Sequence, residues 1–176
     1  MGPPLRAIRR SDMTTAQPVA VRPATAADAP ALLDIFTRSI TELAPPFYAP
    51  PQVAAWAAAL NADRALALIT DHTTYVAELE GAATPARAVG FATFAEPEEF
   101  DMLYVDPAVV MRGVGAALAA VVEQHARFRG VHELKATVSD CARLAFESFG
   151  FRHEQPHTRV LDGHEFSVTL MSLPLR

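Results

Sequence analysis

The stretch Phe100-Asp-Met-Leu-Tyr-Val-Asp-Pro107, followed two residues on by Val110-Met-Arg-Gly-Val-Gly-Ala-Ala-Leu118, decides the fold of this chain. The first part reads as a buried strand that stops at Asp106-Pro107. The second reads as a short loop running into a helix that begins with two glycines. The first turn of a helix has N–H groups without helical partners, and the macrodipole places partial positive charge there. Glycines let a phosphate come close to that backbone, and Arg112 adds a full charge beside it. This is chemistry for a diphosphate. Taken alone, R-G-x-G is explained better by a tight loop whose glycines serve geometry. Strand, Asp-Pro, R-G-V-G and amphipathic helix together are far more specific. A dinucleotide fold calls instead for G-x-G-x-x-G after the strand that opens the domain, whereas here two glycines lie past the middle of the chain.

Reading outward, Gly113 to Arg129 is a long helix with Val114, Ala117, Leu118, Val121 and Val122 on its apolar face. Leu134, Ala136 and Val138 alternate with Lys135 and Thr137, the pattern of a half-buried strand. Ala142, Ala145, Phe146 and Phe149 mark a short helix that Gly150 ends. The tail is a hairpin in which Thr158–Leu161 pairs with Glu165–Met171 around the turn Asp162-Gly163. Upstream, Ala88–Phe94 and Thr73–Leu79 read as strands and Gly81–Pro85 as a turn. A first strand at Val19–Val21 precedes a helix opened by Thr25-Ala-Ala-Asp28 and Pro30, with Leu32, Ile35, Phe36 and Ile40 on one face. Prolines 45, 46, 50 and 51 punctuate a loop, and Gln52–Leu60 and Asp63–Thr70 are further helices. The order describes an α/β chain around one mixed sheet flanked by helices.

The chain has 176 residues, 51 % of them hydrophobic, enough for one domain with a sizeable core. No apolar run is long enough to cross a membrane. The net charge of −5 argues weakly against nucleic acid as a partner. One cysteine, Cys141, excludes an internal disulfide and a cysteine-based zinc site, and a cytoplasmic home fits. Residues 1–18 read as a flexible N-terminal tail, with Met13 as a second candidate start, and 19–176 as the domain.

From Met102-Leu-Tyr-Val-Asp-Pro107 through Arg112-Gly-Val-Gly115, the chain resembles the acetyl-CoA signature of the GNAT (acyl-CoA N-acyltransferase) superfamily. Ala142-Arg-Leu-Ala-Phe-Glu-Ser-Phe-Gly-Phe151 is similar to the second signature, a short helix ending in Gly-Phe. Tyr48-Ala-Pro-Pro-Gln-Val-Ala-Ala-Trp56 and Asp101-Met-Leu103 resemble the bacterial YafP-like branch, so the similarity runs from about Val19 to Leu173. The resemblance implies a GNAT fold in which two neighbouring strands splay apart and the pantetheine arm of acetyl-CoA lies between them as an extra strand. It assigns Leu103, Tyr104 and Val105 to the arm, with an N–H near Leu103 steadying the oxyanion. It assigns Arg112, Gly113, Val114, Gly115 and Ala116 to the pyrophosphate.

Three positions depart from the pattern. Val110 stands where the family has Gln or Arg, and Ser139 where it often has Asn, although a hydroxyl still hydrogen-bonds. Phe146 occupies the place of a tyrosine that protonates the departing thiolate in the family, which leaves water or another group for that role, or else poor chemistry. An ammonium acceptor needs a base. Glu96 and Asp101 are the candidates among Glu96, Glu98, Glu99 and Asp101, with function and plain solvation weighed evenly for both. Tyr48 and Trp56 are expected to line the acceptor pocket, Tyr48 being the better candidate and Trp56 serving equally well as a seam between helices. The six histidines show no metal-ligand spacing, and Cys141 has no histidine arrangement that would make it a nucleophile.

The expected function is transfer of an acetyl group from acetyl-CoA to an amine of a small molecule or peptide, by direct attack in a ternary complex and without metal. The second expectation, prompted by Phe146 and Val110, is an acyl-CoA sensor with little turnover. Neither nucleic acid nor membrane is expected as a partner, and the C-terminal hairpin is a candidate edge for a homodimer.

Overall fold

The computed structural model describes residues 18–79 and 87–175, so the expected tail up to residue 17 and the expected turn Gly81–Pro85 lie outside the described residues. Seven strands, β1 (Val19–Pro23), β2 (Thr73–Leu79), β3 (Ala88–Ala95), β4 (Glu99–Val105), β5 (Glu133–Ser139), β6 (Arg152–Leu161) and β7 (His164–Pro174), form one sheet. Their order is β1-β2-β3-β4-β5-β7-β6, antiparallel throughout except between β4 and β5. The helices are α1 (Ala29–Leu43), α2 (Pro50–Ala57), α3 (Ala62–Asp71), α4 (Val114–Phe128) and α5 (Arg143–Ser148).

Two cores sandwich the sheet. On one face α1, α2 and α3 bury Leu32, Ile35, Phe36, Ile40, Val53 and Leu68 against Val76, Phe91, Phe166 and Val168. On the other, α4 buries Val114, Leu118, Val122 and Ala126 against Ala92, Phe94 and Leu134, with Phe146 of α5 beside them. Covered on both sides, β3 is buried from Ala88 to Phe94, as a central strand should be. Gly90 sets how closely α4 approaches. A Cβ there would stand 2.8 Å from Val114 Cγ1 and 3.1 Å from Leu118 Cδ1.

At the other edge, Arg22 of β1 joins Asp28, ahead of α1, to Glu78 of β2 at 2.8 and 2.7 Å. The Arg22 hydrogen bonds are the main reason the Asp28 carboxyl falls to about 2.

The C-terminal hairpin is longer than the sequence pattern indicates, running back to Arg152 and on to Pro174. Pro156 breaks the strand pattern, but β6 is a sheet edge, where a missing N–H leaves no ladder bond unmade. The register also shifts between His153 and Gln155, which hides the alternation. Asp162 (φ 48°) and Gly163 (φ 76°) supply the left-handed turn.

Candidate active site

The parallel strands β4 and β5 share one registered pair, Glu99 with Lys135. The Lys135 N–H donates to the Glu98 carbonyl at 2.9 Å at the same place. Beyond it the strands part. β3 pairs with the other side of β4 as far as Val105, so the β5-facing backbone of residues 101–105 has no partner strand among the described residues. Backbone groups left so in a protein interior call for a hydrogen-bonding partner. An extended chain carrying amides would supply one.

The far end of this cleft is closed by the start of α4. Gly113, the residue that caps the helix, has φ 82°, and Met111 two residues earlier has φ 63° and is almost wholly exposed. A bulky residue in the left-handed region is strained, and such strain persists mostly at functional sites. The helical ladder begins with Ala117 N–H to Gly113 O at 2.9 Å, leaving the N–H groups of Val114, Gly115 and Ala116 without helical bonds. The Arg112 amide is turned to the Val109 carbonyl at 3.3 Å, while its side chain is exposed. A Cβ on Gly115 would lie 3.8 Å from Val105 Cγ2 and 3.6 Å from Phe149 Cζ, so the first turn of α4 sits where β4 ends and α5 finishes. The loop between is anchored by buried Asp106. Its carboxylate accepts from Ala108 N–H at 3.0 Å and from Arg38 at 2.9 Å, with Arg87 at 3.4 Å. The amides and the exposed cation suit a diphosphate, and the unpaired strand edge suits a pantetheine arm.

On the face covered by α1 and α2, the cleft opens into a cavity of about 380 Å³ lined by Glu99, Asp101, Thr137, His157 and Arg159. Asp101 reaches it because of a β-bulge. Thr93 pairs with Met102 and Phe94 with Phe100, so Asp101 is the extra residue. Burial pushes its carboxyl above the usual aspartate range, against the opposing pull of His72 and Arg159. Beside the cavity, Tyr48, Trp56, Tyr104 and Phe166 form an aromatic wall with ring centroids 5.5–6.5 Å apart. The Trp56 Nε1–H donates to the Tyr104 hydroxyl at 3.2 Å. The Tyr48 hydroxyl donates to Ser167 O at 2.8 Å and accepts from Asp140 N–H at 2.9 Å. Burial pushes the Tyr48 phenol up to about 12, so it stays neutral and ties the loop after α1 to the ends of β5 and β7.

The two candidate bases are not brought together. Glu96 pairs with Arg129, beyond the C-terminal end of α4, at 3.0 Å, and it does not line the cavity. Leu103 and Val105 direct their side chains into the α4 core, and Tyr104 directs its ring to the aromatic wall, so the backbone of all three borders the cleft. Ser139 ends β5 with its Oγ 3.2 Å from Cys141 Sγ. Burial pushes the Cys141 thiol up, which keeps it protonated. Phe146 is buried among Phe100, Phe149 and Phe151. His157 and Arg159 are cavity residues that the sequence reading passed over. The alternation of β6 against Phe166 and Val168 is the signal that places them on this face.

The family model described as Acetyltransferase (GNAT) domain matches residues 46–168. The uncharacterized N-acetyltransferase YafP of Escherichia coli (strain K12) is 32 % identical over 121 residues, covering 69 % of this chain and 73 % of that protein. A GCN5-related N-acetyltransferase structure from Rhodopseudomonas palustris is 34 % identical with a TM-score of 0.82, covering 89 % of this chain and 95 % of that one. The Salmonella typhimurium putative acetyltransferase yncA, solved with acetyl-CoA, shares the fold at 21 % identity and a TM-score of 0.68, covering 90 % of this chain and 95 % of that one. A family model spanning most of the sequence, a relative at 32 % identity and a solved structure of matching fold at 34 % identity agree: this chain belongs to the GNAT acetyltransferase family and is an acyltransferase.

Proposed function

We propose that the protein transfers the acetyl group of acetyl-CoA to an amine, by direct attack in a ternary complex, with Asp101 as the general base. The observation that carries this reading is the cleft itself. Strands β4 and β5 part after Glu99–Lys135, the open N–H groups of α4 stand at one end, and Asp101 reaches a cavity on the α2 face.

Bound acetyl-CoA supplies a thioester carbonyl ready for attack. The backbone of Leu103 and Val105 holds the amides of its arm as an added strand. The N–H groups of Val114, Gly115 and Ala116 and the Arg112 guanidinium hold the diphosphate. A β4 N–H near Leu103, left open by the splay, donates to the carbonyl oxygen as charge builds there. Asp101 removes a proton from the acceptor ammonium, a task its raised pKa suits. The aromatic wall holds the acceptor's carbon skeleton. Phe146 has no proton to give, and a thiolate, with a pKa of ~8.5, takes its proton from water.

The test is release of free CoA thiol from acetyl-CoA with and without added amines. Release that depends on an amine, and falls about 10²–10⁴-fold in Asp101→Asn, supports the reading. Acetyl-CoA binding without amine-dependent release from any acceptor favours a sensor instead.

A further inference from the structure

The cavity beside the cleft carries opposite charges on opposite walls. Asp101 and Glu99 come from β4, and Arg159 and His157 come from the outer strand β6. Arg159 stands opposite Phe166 in the β6–β7 register, and Phe166 is buried in the aromatic wall with Tyr48 and Trp56. The guanidinium therefore rims the cavity just above that wall. Among the described residues the Arg159 side chain makes no hydrogen bond and no ion pair within 4 Å, Asp101 included, although the two feel each other's charge. An arginine placed only to neutralise Asp101 would close on it. Here the two face each other across an open space of about 380 Å³, a volume that suits a small molecule.

We infer that the acceptor is an amine that also bears an oxyanion, such as an amino-carboxylate or aminophosphonate, and that Arg159, helped by His157, receives that oxyanion. The inference rests on the acetyltransferase reading of the cleft. The amine lies toward Asp101 and the thioester position, the side chain lies on Tyr48, Trp56 and Phe166, and the planar fork of Arg159 matches a carboxylate or phosphonate in two hydrogen bonds. Arg159 acts as a specificity residue, since it touches the acceptor away from the reacting atoms.

The experiment compares matched acceptors at saturating acetyl-CoA: L-phenylalanine with phenethylamine, L-methionine with 3-(methylthio)propylamine, and 2-aminoethylphosphonate with ethylamine. In at least one pair the oxyanion-bearing member is expected to have the higher kcat/KM by about tenfold or more. Arg159→Gln shrinks that ratio by about tenfold through KM, and Arg159→Lys restores part of it. Arg159 is exposed on an edge strand, so both variants are expected to fold, and their Tm values check this. Equal or better turnover of the oxyanion-free partners overturns the inference, as does a ratio that Arg159→Gln leaves unchanged. Absence of turnover with every oxyanion-bearing probe overturns it too. Binding of acetyl-CoA, measured alongside by thermal shift, then shows whether the cofactor reading has failed with it.

Discussion

Phe100 and Met102 lie two residues apart on β4 yet face opposite layers, Phe100 toward α4 and Met102 toward α1. On a regular strand they would share a face. The residue between them, Asp101, absorbs the extra step as a bulge, and its carboxylate lines the cavity beside the cleft.

Asp101→Asn tests that placement through pH. With Asp101 as the proposed base, kcat/KM of the wild type is expected to rise with pH as Asp101 loses its proton, with an acidic limb above the ordinary aspartate range because burial raises its pKa. The variant lacks this limb and regains activity only where the acceptor amine is itself unprotonated. Stability gives an independent sign. A raised folded pKa stabilises the fold below the unfolded pKa, and that contribution is lost as pH rises through the folded value. His72, Arg159, Glu99 and His157 face the same group and shape the curve. The Tm of the wild type should therefore drop relative to Asp101→Asn as the pH rises above the ordinary aspartate range, and thermal melts from acidic to neutral pH check it.

The period-two rule explains why Asp101 was legible only in part. The strand, the R-G-V-G turn and the α4 face could be read from residues 100–118, because local chemistry decides them. The bulge could not, since alternation of Phe100, Met102 and Tyr104 reads equally well as an unbroken strand. Glu96 and Asp101 look equivalent in sequence for the same reason, and only the fold turns Glu96 to Arg129 and away from the cavity. The place of Arg159 on the cavity and the Asp106–Arg38 bond were hidden because each depends on residues brought from distant strands and helices. Tyr48 was placed in the Pro-rich loop correctly, but its bonds to Ser167 and Asp140 depend on contacts about a hundred residues away.

Gly113 holds φ 82° at the start of α4, with nothing within 4 Å of the position a Cβ would take. Space is therefore not the obstacle, but conformation is. Gly113→Val forces a β-branched residue into the left-handed region, at a cost of about 1–3 kcal/mol, or makes the turn refold. Acetyl-CoA affinity is expected to fall about tenfold or more by calorimetric titration, while far-UV circular dichroism stays as in the wild type.

Gly90 tests the seat of α4. Adding a methyl group there places Cβ 2.8 Å from Val114 Cγ1 and 3.2 Å from the Tyr104 carbonyl oxygen. Gly90→Ala should lower stability by about 1–3 kcal/mol in urea melts, through overpacking in a core that cannot shift on both sides.

Tyr48→Phe removes one hydroxyl and leaves Ser167 O and Asp140 N–H without it. A loss of about 1–3 kcal/mol is expected from the unsatisfied groups. Because the same hydroxyl holds the aromatic wall to the strand ends, KM for the acceptor should rise more than kcat falls, which steady-state kinetics separates.

The central claim is that the cleft between β4 and β5 is built for acetyl-CoA, and a thermal-shift titration with acetyl-CoA, CoA and NAD tests it most directly. Ligand at ~100 times its dissociation constant should add about 2.7 kcal/mol to stability. A rise in Tm with acetyl-CoA and CoA but not with NAD is the result expected from the parted strands and the open amides of α4. No shift at millimolar acetyl-CoA would contradict the claim and would mean that this chain keeps the family's fold without its cofactor site.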